Sequence, residues 1–358
     1  MENNSATKIY KIIRGLKVVA HKKRQEFLVE LIEGIIKSRS VTFSEIADKM
    51  TRPIKVESLE RRIQDFFEKV SINYSQLILL YLSFIHHKKL TLSIDRTEWD
   101  FGKTQVNFLC VVASIGKMAV PLYFEMLDNK SGASNYEDRI RVLQNIIKVI
   151  GSERIERLIM DREFVGYQWL RWLKENKITH CVRVPKSHKI TFDDGTCKTA
   201  EELLGTRKHL YLRQVFVNTV KVNVSLSYGE DGELLYLVGT EQPSLLGNIY
   251  KKRWTIEVFF QAMKSRGFNI EQSCLRSLDK YRKLFAVVAI AYTICWATGI
   301  EEGRTKPVKV KKHGYPQYSV FRRGLKLMRA FYKNNFIHEL DRILDLAIQR
   351  LCLFKTIG

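Results

Sequence analysis

Two aspartates in the chain each follow a short apolar run. Asp95 ends the alternating stretch of residues 90–95, and Asp161 ends the apolar stretch of residues 158–161. If these runs are neighbouring strands, the two carboxylates lie close together and repel, which costs free energy unless cations are bound between them. Hard oxygen ligands suit Mg²⁺, which takes one or two protein carboxylates together with substrate phosphates. The pair therefore predicts a divalent metal site.

Other readings of the same residues remain open. Taken singly, each aspartate is also typical of a helix cap or a turn, and Glu98, Asp100 and Glu163 are neighbouring carboxylates that spacing alone does not exclude. We prefer Asp95 and Asp161 because they are reached as each apolar run ends, whereas the other three lie in the following loop or helix turn.

A polar stripe further along the chain carries a third carboxylate. Tyr250, Arg253, Glu257, Gln261 and Lys264 recur at helical spacing, which predicts one face of an α-helix. A solvated, salt-bridged face is the commoner explanation for a polar stripe taken alone. The two upstream aspartates favour a functional explanation, in which Glu257 completes their ligand set.

The elements around the aspartates follow an α/β pattern. Runs typical of strands and helices alternate in the order β-β-β-α-β-α-β over residues 90–184, beginning with a hairpin at residues 116–117. Parallel crossovers would place the strands that carry Asp95 and Asp161 side by side. Ligands bind at the carboxyl ends of strands in open α/β sheets, so this edge is where a site is expected.

The first ninety residues read as helices only. Two short helical segments, residues 44–50 and 58–67, resemble a helix-turn-helix, and the second carries Arg61 and Arg62. Many packed helix pairs share this appearance, so DNA reading and simple packing are equally compatible with it.

Three regions follow from these patterns. We predict a helical DNA-binding domain at residues 1–89, an α/β catalytic domain at 90–300 with a β-rich insertion at about 185–243, and a basic loop with C-terminal helices at 301–358. The role of the last region is open among contact with a second protomer, DNA binding and packing.

The charge balance indicates the class of partner. Sixty Lys and Arg against 38 Asp and Glu give a net charge of +22, which attracts polyanions, and nucleic acid is the first candidate. Anionic membrane is the rival, but the basic residues are spread along the chain and the longest apolar run has 14 residues, too few to span a bilayer. The polar N-terminus and six scattered cysteines without a metal-site pattern lead us to expect a cytoplasmic protein that binds no membrane.

These residues resemble a known family. The spacing Tyr250-x2-Arg253-x3-Glu257-x6-Lys264 resembles the Y-R-E-K signature of bacterial insertion-sequence DDE transposases of the IS-four group. Residues 94–99 and 160–164 are similar to the two aspartate motifs of that group. The resemblance extends from about residue 90 to about residue 299 and includes every motif position.

The resemblance implies a ribonuclease-H-like fold in which Asp95, Asp161 and Glu257 are catalytic and bind two Mg²⁺ ions, with Mn²⁺ as an alternative. Two metals roughly 3.5–4 Å apart can stabilise both the attacking and the leaving oxygen of a phosphodiester. Tyr250, Arg253 and Lys264 would contact phosphates. Trp254 is a candidate for stacking on an extruded base, with a packing role equally compatible.

The function that follows is DNA transposition. The protein would bind the terminal inverted repeats of its insertion sequence, cleave phosphodiester bonds and join the 3′-hydroxyl ends to target DNA, as a homodimer in a synaptic complex at the nucleoid. The alternatives are a ribonuclease-H-fold nuclease that cuts without joining and an inactive, transposase-derived DNA-binding regulator.

Overall fold

The computed structural model describes residues 8–85, 87–101, 104–127, 132, 134–229, 232–312, 314 and 316–352. Contacts divide the chain into two compact units. The first comprises Met1–His87, Glu98–Val106 and Phe259–Gly358, and the second comprises Lys88–Thr97 and Asn107–Val258. The predicted regional boundaries stay predictions, since a division by contacts follows packing and not function.

Five helices open the first unit. They are α1 (Lys8–Leu16), α2 (Lys22–Ser38), α3 (Phe43–Lys49), α4 (Val56–Lys69) and α5 (Tyr74–Leu82). Apolar side chains recur every three or four residues along α2, and this stripe is buried, which stabilises the helix through packing. The helical reading of this part of the sequence is thus confirmed for the residues that the structure describes.

The second unit contains most of a large sheet. Its elements in chain order are β1 (Leu90–Phe101), β2 (Thr104–Ile115), β3 (Met118–Met126), α6 (Tyr136–Ile150), β4 (Ile155–Met160), α7 (Tyr167–Glu175), β5 (His180–Arg183), β6 (Ile190–Thr191), β7 (Cys197–Lys198), α8 (Ala200–Leu204), β8 (His209–Val217), β9 (Val220–Tyr228), β10 (Leu234–Gly239), α9 (Pro243–Tyr250) and α10 (Trp254–Met263). The predicted order β-β-β-α-β-α-β is confirmed, because β1 to β5 and the helices α6 and α7 follow it.

The ten strands form a single sheet in the order β3-β2-β1-β4-β5-β10-β9-β8-β6-β7. Strand β4 lies between β1 and β5 and runs parallel to both, whereas β2 and β3 form an antiparallel hairpin through Gly116, whose φ of 60° suits a residue without a Cβ. The predicted β-rich insertion extends this sheet, because β10 pairs antiparallel with β5.

The rest of the first unit is helical. It contains α11 (Leu278–Thr305), α12 (Val320–Lys333) and α13 (Ile337–Cys352). Helix α11 is long and apolar enough to cross a membrane by length and composition, but 94% of its most apolar stretch is buried inside the protein. The 14-residue apolar run of the sequence lies within this buried helix, which extends beyond the run at both ends.

Candidate active site

The parallel pairing of β1 with β4 places the two aspartates. Ile94 and Met160 are the last pair of residues between β1 and β4, and Asp95 and Asp161 are the residues that follow them. The expectation that Asp95 ends its strand is wrong, because β1 continues to Phe101. What ends at Ile94 is the pairing, since the chain after β4 leaves the sheet in a 3₁₀ turn that the Asp161 side chain caps. The two aspartates nevertheless follow paired, adjacent residues, as predicted.

The third carboxylate comes from a broken helix and not from the single helix that the stripe predicts. Helix α9 ends at Tyr250, a 3₁₀ turn covers Lys251–Arg253, and α10 begins at Trp254 with Glu257 in its first turn. A 3₁₀ turn has three residues per turn instead of 3.6, so the ideal spacing is lost there. The prediction of one continuous helix is therefore wrong, although Tyr250, Arg253 and Glu257 still converge.

Hydroxyl groups attach the start of α10 to the sheet. Thr255 is buried, its Oγ1 lies 2.8 Å from the Ser114 Oγ on β2, and it also donates to the Lys252 carbonyl at 2.9 Å. The Ser114 hydroxyl in turn lies 3.2 Å from that of Ser93 on β1. These contacts fix the backbone two residues before Glu257, so the third carboxylate is placed by β2 and, through Ser93, by β1, the strand that carries Asp95.

The Arg253 guanidinium lies among all three carboxylates. Its Nη1 donates to Asp95 Oδ2 at 3.0 Å and lies 3.9 Å from Asp161 Oδ2, and its Nη2 donates to Glu257 Oε1. The Arg253 side chain is only 15% exposed, which strengthens these ion pairs relative to surface ones. One cation thus joins residues that the sequence separates by up to 162 positions, from Asp95 to Glu257.

Tyr250 closes one side of this cluster. Its hydroxyl donates to Asp161 Oδ1 at 2.9 Å, and its ring centre lies 5.5 Å from the Arg253 guanidinium carbon. Burial raises the pKa of Tyr250 above its usual value, so the phenol keeps its proton and acts as a donor. Asp161 Oδ1 also accepts the backbone N–H of Arg162 at 2.8 Å.

Burial dominates the electrostatics of Asp95. It raises the pKa of Asp95 to about 7, although Arg253 and the backbone N–H of Arg96 act in the opposite direction, and the charge of Asp161 adds to the rise. For Arg253, burial disfavours the charge, but Tyr250 and the carboxylates Asp161, Asp95 and Glu257 raise its pKa above the ordinary value. Arg253 is therefore a permanent cation among the three carboxylates.

A second ion pair next to the cluster was not anticipated from the sequence. Arg96 Nε donates to both carboxylate oxygens of Glu163, at 3.1 and 3.0 Å, and Arg96 Nη1 donates to Asn107 Oδ1 at 3.1 Å. Arg139 Nη2 holds the Glu163 carbonyl at 2.9 Å. Glu163 is therefore engaged as an ion-pair partner. Its only sequence signal is that Arg96 and Glu163 each follow an aspartate closely.

Trp254 and Lys264 were also predicted to contact DNA, and each has its own environment. Trp254 is 55% exposed. Lys264 belongs to the first unit, where its Nζ donates to the Glu98 carbonyl at 3.0 Å, pairs with Glu271 at 2.9 Å and lies over the Trp99 ring.

Arg61 and Arg62 are exposed on α4, as a DNA contact requires. Arg61 shares a cleft of about 520 Å³ with four acidic residues, Glu57, Glu60, Asp65 and Glu68. These acids reduce the positive potential of this helix face, so DNA reading by α4 stays a prediction.

The carboxylate cluster has the donor chemistry of a divalent metal site. Among the residues that the structure describes, no group of three or more His, Cys, Asp or Glu is spaced to hold a metal ion directly. The three carboxylates instead surround the Arg253 guanidinium, which serves as a stand-in cation. Oxygen donors that already share one cation fit a hard divalent ion, provided that the guanidinium moves.

A comparison with family models agrees with this chemistry. A family model described as a transposase DDE domain matches residues 86–294, more than half of the chain. Among solved structures, the chain is similar to a cryo-EM structure of the piggyBac transposase synaptic complex with hairpin DNA, at 11% sequence identity and a TM-score of 0.46, over 97% of this chain and 83% of that one. No curated protein matches. The chain therefore belongs to the transposase DDE domain family.

Proposed function

We propose that this protein is a metal-dependent DNA transposase of the IS-four type, with a ribonuclease-H-like catalytic fold. The observation that carries the proposal is the convergence of Asp95, Asp161 and Glu257 on one cation. The strand order β3-β2-β1-β4-β5, with β4 parallel to both neighbours and β2 and β3 antiparallel, supports the fold. The helices before β1 would form the DNA-binding domain.

The three carboxylates would hold two Mg²⁺ ions, with Mn²⁺ as an alternative. When bound, such ions activate the attacking oxygen and stabilise the leaving oxygen of a phosphodiester. The protein's part is to fix the ligands. Asp95 and Asp161 are held by the β1–β4 pairing, and Glu257 is held by the hydroxyl contacts of Thr255. Ligands on paired strands and a docked helix turn keep their geometry better than ligands on loops.

The cations and aromatic residues of the predicted motif would bind the DNA backbone. Arg253 offers a planar fork that suits bidentate contact with phosphate, and the Tyr250 hydroxyl is a protonated donor beside it. Lys264 would add a third contact. Trp254 exposes enough of its ring to stack on a base at the cleaved end.

The DNA substrate would be the terminal inverted repeats of the element that encodes the protein, followed by target DNA. A net charge of +22 favours duplex binding, and Arg61 and Arg62 are the proposed contacts in the N-terminal helices. Pairing two transposon ends calls for a homodimer in a synaptic complex. The proposed place of action is the cytoplasm, at the nucleoid.

The test uses linear DNA that carries the inverted repeats flanking the gene. Asp95→Asn and Glu257→Gln are each expected to lower Mg²⁺-dependent nicking by more than a thousandfold while end binding in a gel shift without divalent metal changes less than threefold. Glu175→Gln is the matched control, because Glu175 is exposed and pairs only with Arg171 within α7. Nicking by Asp95→Asn at the wild-type rate would refute the assignment.

A second assay separates transposition from simple cleavage. A pre-cut end with a free 3′-hydroxyl is mixed with a supercoiled plasmid, and joined products are counted. Joining by the wild-type protein supports a transposase. Nicking without joining indicates a nuclease of the same fold, and end binding without either reaction indicates an inactive regulator.

A further inference from the structure

The Arg253 guanidinium occupies the place of a cation within a set of acidic ligands. Asp95 Oδ2 and Glu257 Oε1 are engaged by its two terminal nitrogens, and Asp161 Oδ2 lies 3.9 Å from one of them. Because a carboxylate turned toward a guanidinium cannot direct the same lone pairs at a metal ion, the arginine and the metal compete for these oxygens. This inference rests on the proposed function, which takes the three carboxylates as metal ligands.

Competition is strongest at Asp95, because this end of the cluster is shielded from water. The side chains of Arg253 and Asp95 are 15% and 17% exposed, so charges there interact through a medium of lower dielectric than water. A divalent ion entering beside the guanidinium would meet like-charge repulsion as well as occupied ligands. The free protein therefore opposes metal binding as long as Arg253 stays in place.

The carboxylate-bound state of Arg253 has one defect. Its Nε is buried and has no hydrogen-bond partner, although its Nη1 and Nη2 are both engaged. A buried donor without a partner costs free energy. A phosphate group accepts from Nε and a terminal nitrogen together, so a DNA backbone would satisfy the donor that the carboxylates leave unpaired.

We propose that Arg253 gates metal binding: in the free protein it holds Asp95, Asp161 and Glu257 as a substitute cation, and a DNA phosphate draws it away so that divalent ions can bind. DNA and metal then bind cooperatively. Thermodynamic linkage requires that DNA raise metal affinity by the same factor as metal raises DNA affinity. A chain regulated in this way assembles its hydrolytic site only on DNA.

Equilibrium metal binding tests the gate without any reading of activity. Free Mn²⁺ is measured by its electron paramagnetic resonance signal as it is titrated into the protein, with and without a saturating pre-cut duplex end. The wild-type protein is expected to bind Mn²⁺ at least tenfold more tightly with DNA. Arg253→Gln is expected to bind it at least tenfold more tightly than the wild type without DNA, and to gain less than threefold from DNA.

Two further variants control for charge and for folding. Arg171→Gln removes the same charge from an exposed position on α7 and should leave Mn²⁺ affinity unchanged. Arg253→Lys keeps a cation at the site, and should keep most of the opposition to metal in the free protein. If Arg253→Gln does not fold, the DNA dependence of the wild-type and Arg253→Lys proteins still decides the proposal.

The outcomes distinguish the gate from the proposed function. Equal Mn²⁺ affinity with and without DNA, together with no gain in Arg253→Gln, overturns the gate. If Asp95→Asn abolishes Mn²⁺ binding in the presence of DNA, the metal-ligand assignment stands even in that case. If Asp95→Asn binds Mn²⁺ as tightly as the wild type on DNA, the assignment of the site itself is overturned.

Discussion

At the scale of residues, the carboxylate cluster lies beside charged side chains that are not part of the sequence motif. Asp95, Asp161 and Glu257 meet at Arg253, and the neighbouring pair Arg96–Glu163 joins the residue after Asp95 to the residue two after Asp161. The Glu163 carboxylate is therefore tied to the backbone beside both aspartates. We expect it to position the two ligands without binding metal itself.

Replacing Glu163 tests this positioning role. Glu163→Gln removes the Glu163 charge from the Arg96 guanidinium, which is 15% exposed, and weakening a partly buried pair on one side destabilises by about 1–3 kcal/mol. Urea denaturation should show this loss in the free energy of unfolding, together with at least a tenfold slower nicking rate.

The exposed pair Arg171–Glu175 provides the comparison. Glu175→Gln should change the free energy of unfolding by less than ~0.5 kcal/mol, since both side chains are more than half exposed. Equal stability of the two variants would show that Arg96–Glu163 contributes nothing beyond a surface ion pair.

At the scale of elements, close helix packing depends on two glycines. A Cβ at Gly324 of α12 would overlap the carbonyl oxygen of Cys295 and approach the nitrogen of Gly299, both on α11. A Cβ at Gly299 would in turn overlap the carbonyl oxygen of Val320 on α12. The backbones of α11 and α12 therefore lie closer together than a side chain at either glycine would permit. Both helices belong to the first unit.

Gly324→Ala should lower the free energy of unfolding by at least ~2 kcal/mol, because the helices must separate to admit a methyl group. Gly303→Ala on α11 is the control. A Cβ there has its nearest neighbour at 3.8 Å, so the exchange should be neutral or add up to ~1 kcal/mol through helix propensity. Thermal or urea unfolding of both variants measures the difference, and similar values for the two would contradict the packing argument.

The same elements show what a sequence can and cannot predict. The sequence predicts β-rich structure at about residues 185–243, and β6 to β10 lie there, because alternation of apolar and polar residues is a local signal. The start of α4 was not predicted. Ser58 is a typical capping residue, but α4 begins at Val56 after Lys55, whose side chain makes no capping hydrogen bond, and Val56 is exposed, so neither capping nor burial marks this start.

The candidate site likewise contains residues that the sequence predicts and contacts that it does not. Asp95 and Asp161 could be predicted from the ends of apolar runs, and Glu257 from its motif. The break between α9 and α10, the hydroxyl chain from Thr255 to Ser93 and the Arg96–Glu163 pair could not, because each depends on contacts between distant parts of the chain. The sequence therefore predicts three carboxylates that the structure brings together at Arg253, but not the contacts that hold them.

At the scale of the whole molecule, net charge is the property that acts at a distance. In the proposed function, a charge of +22 would steer the protein to DNA of any sequence, whereas the carboxylate cluster would act only on a phosphate placed next to it. Affinity and chemistry thus reside in different features, and they should respond differently to salt. The nicking rate of a preformed complex depends on the local site, whereas the formation of the complex depends on the counterions displaced from the DNA.

DNA affinity should therefore fall steeply with ionic strength. For six to ten phosphate contacts, the binding constant is expected to decrease by about 10³–10⁵-fold between 50 and 200 mM salt, measured by fluorescence anisotropy of a labelled duplex end. Arg62→Gln, which removes an exposed cation of α4, should reduce the slope of log K against log salt by about one, whereas Lys148→Gln on α6 should leave it unchanged. A flat salt dependence would contradict an electrostatic origin of binding, and an unchanged slope in Arg62→Gln would remove α4 from the interface.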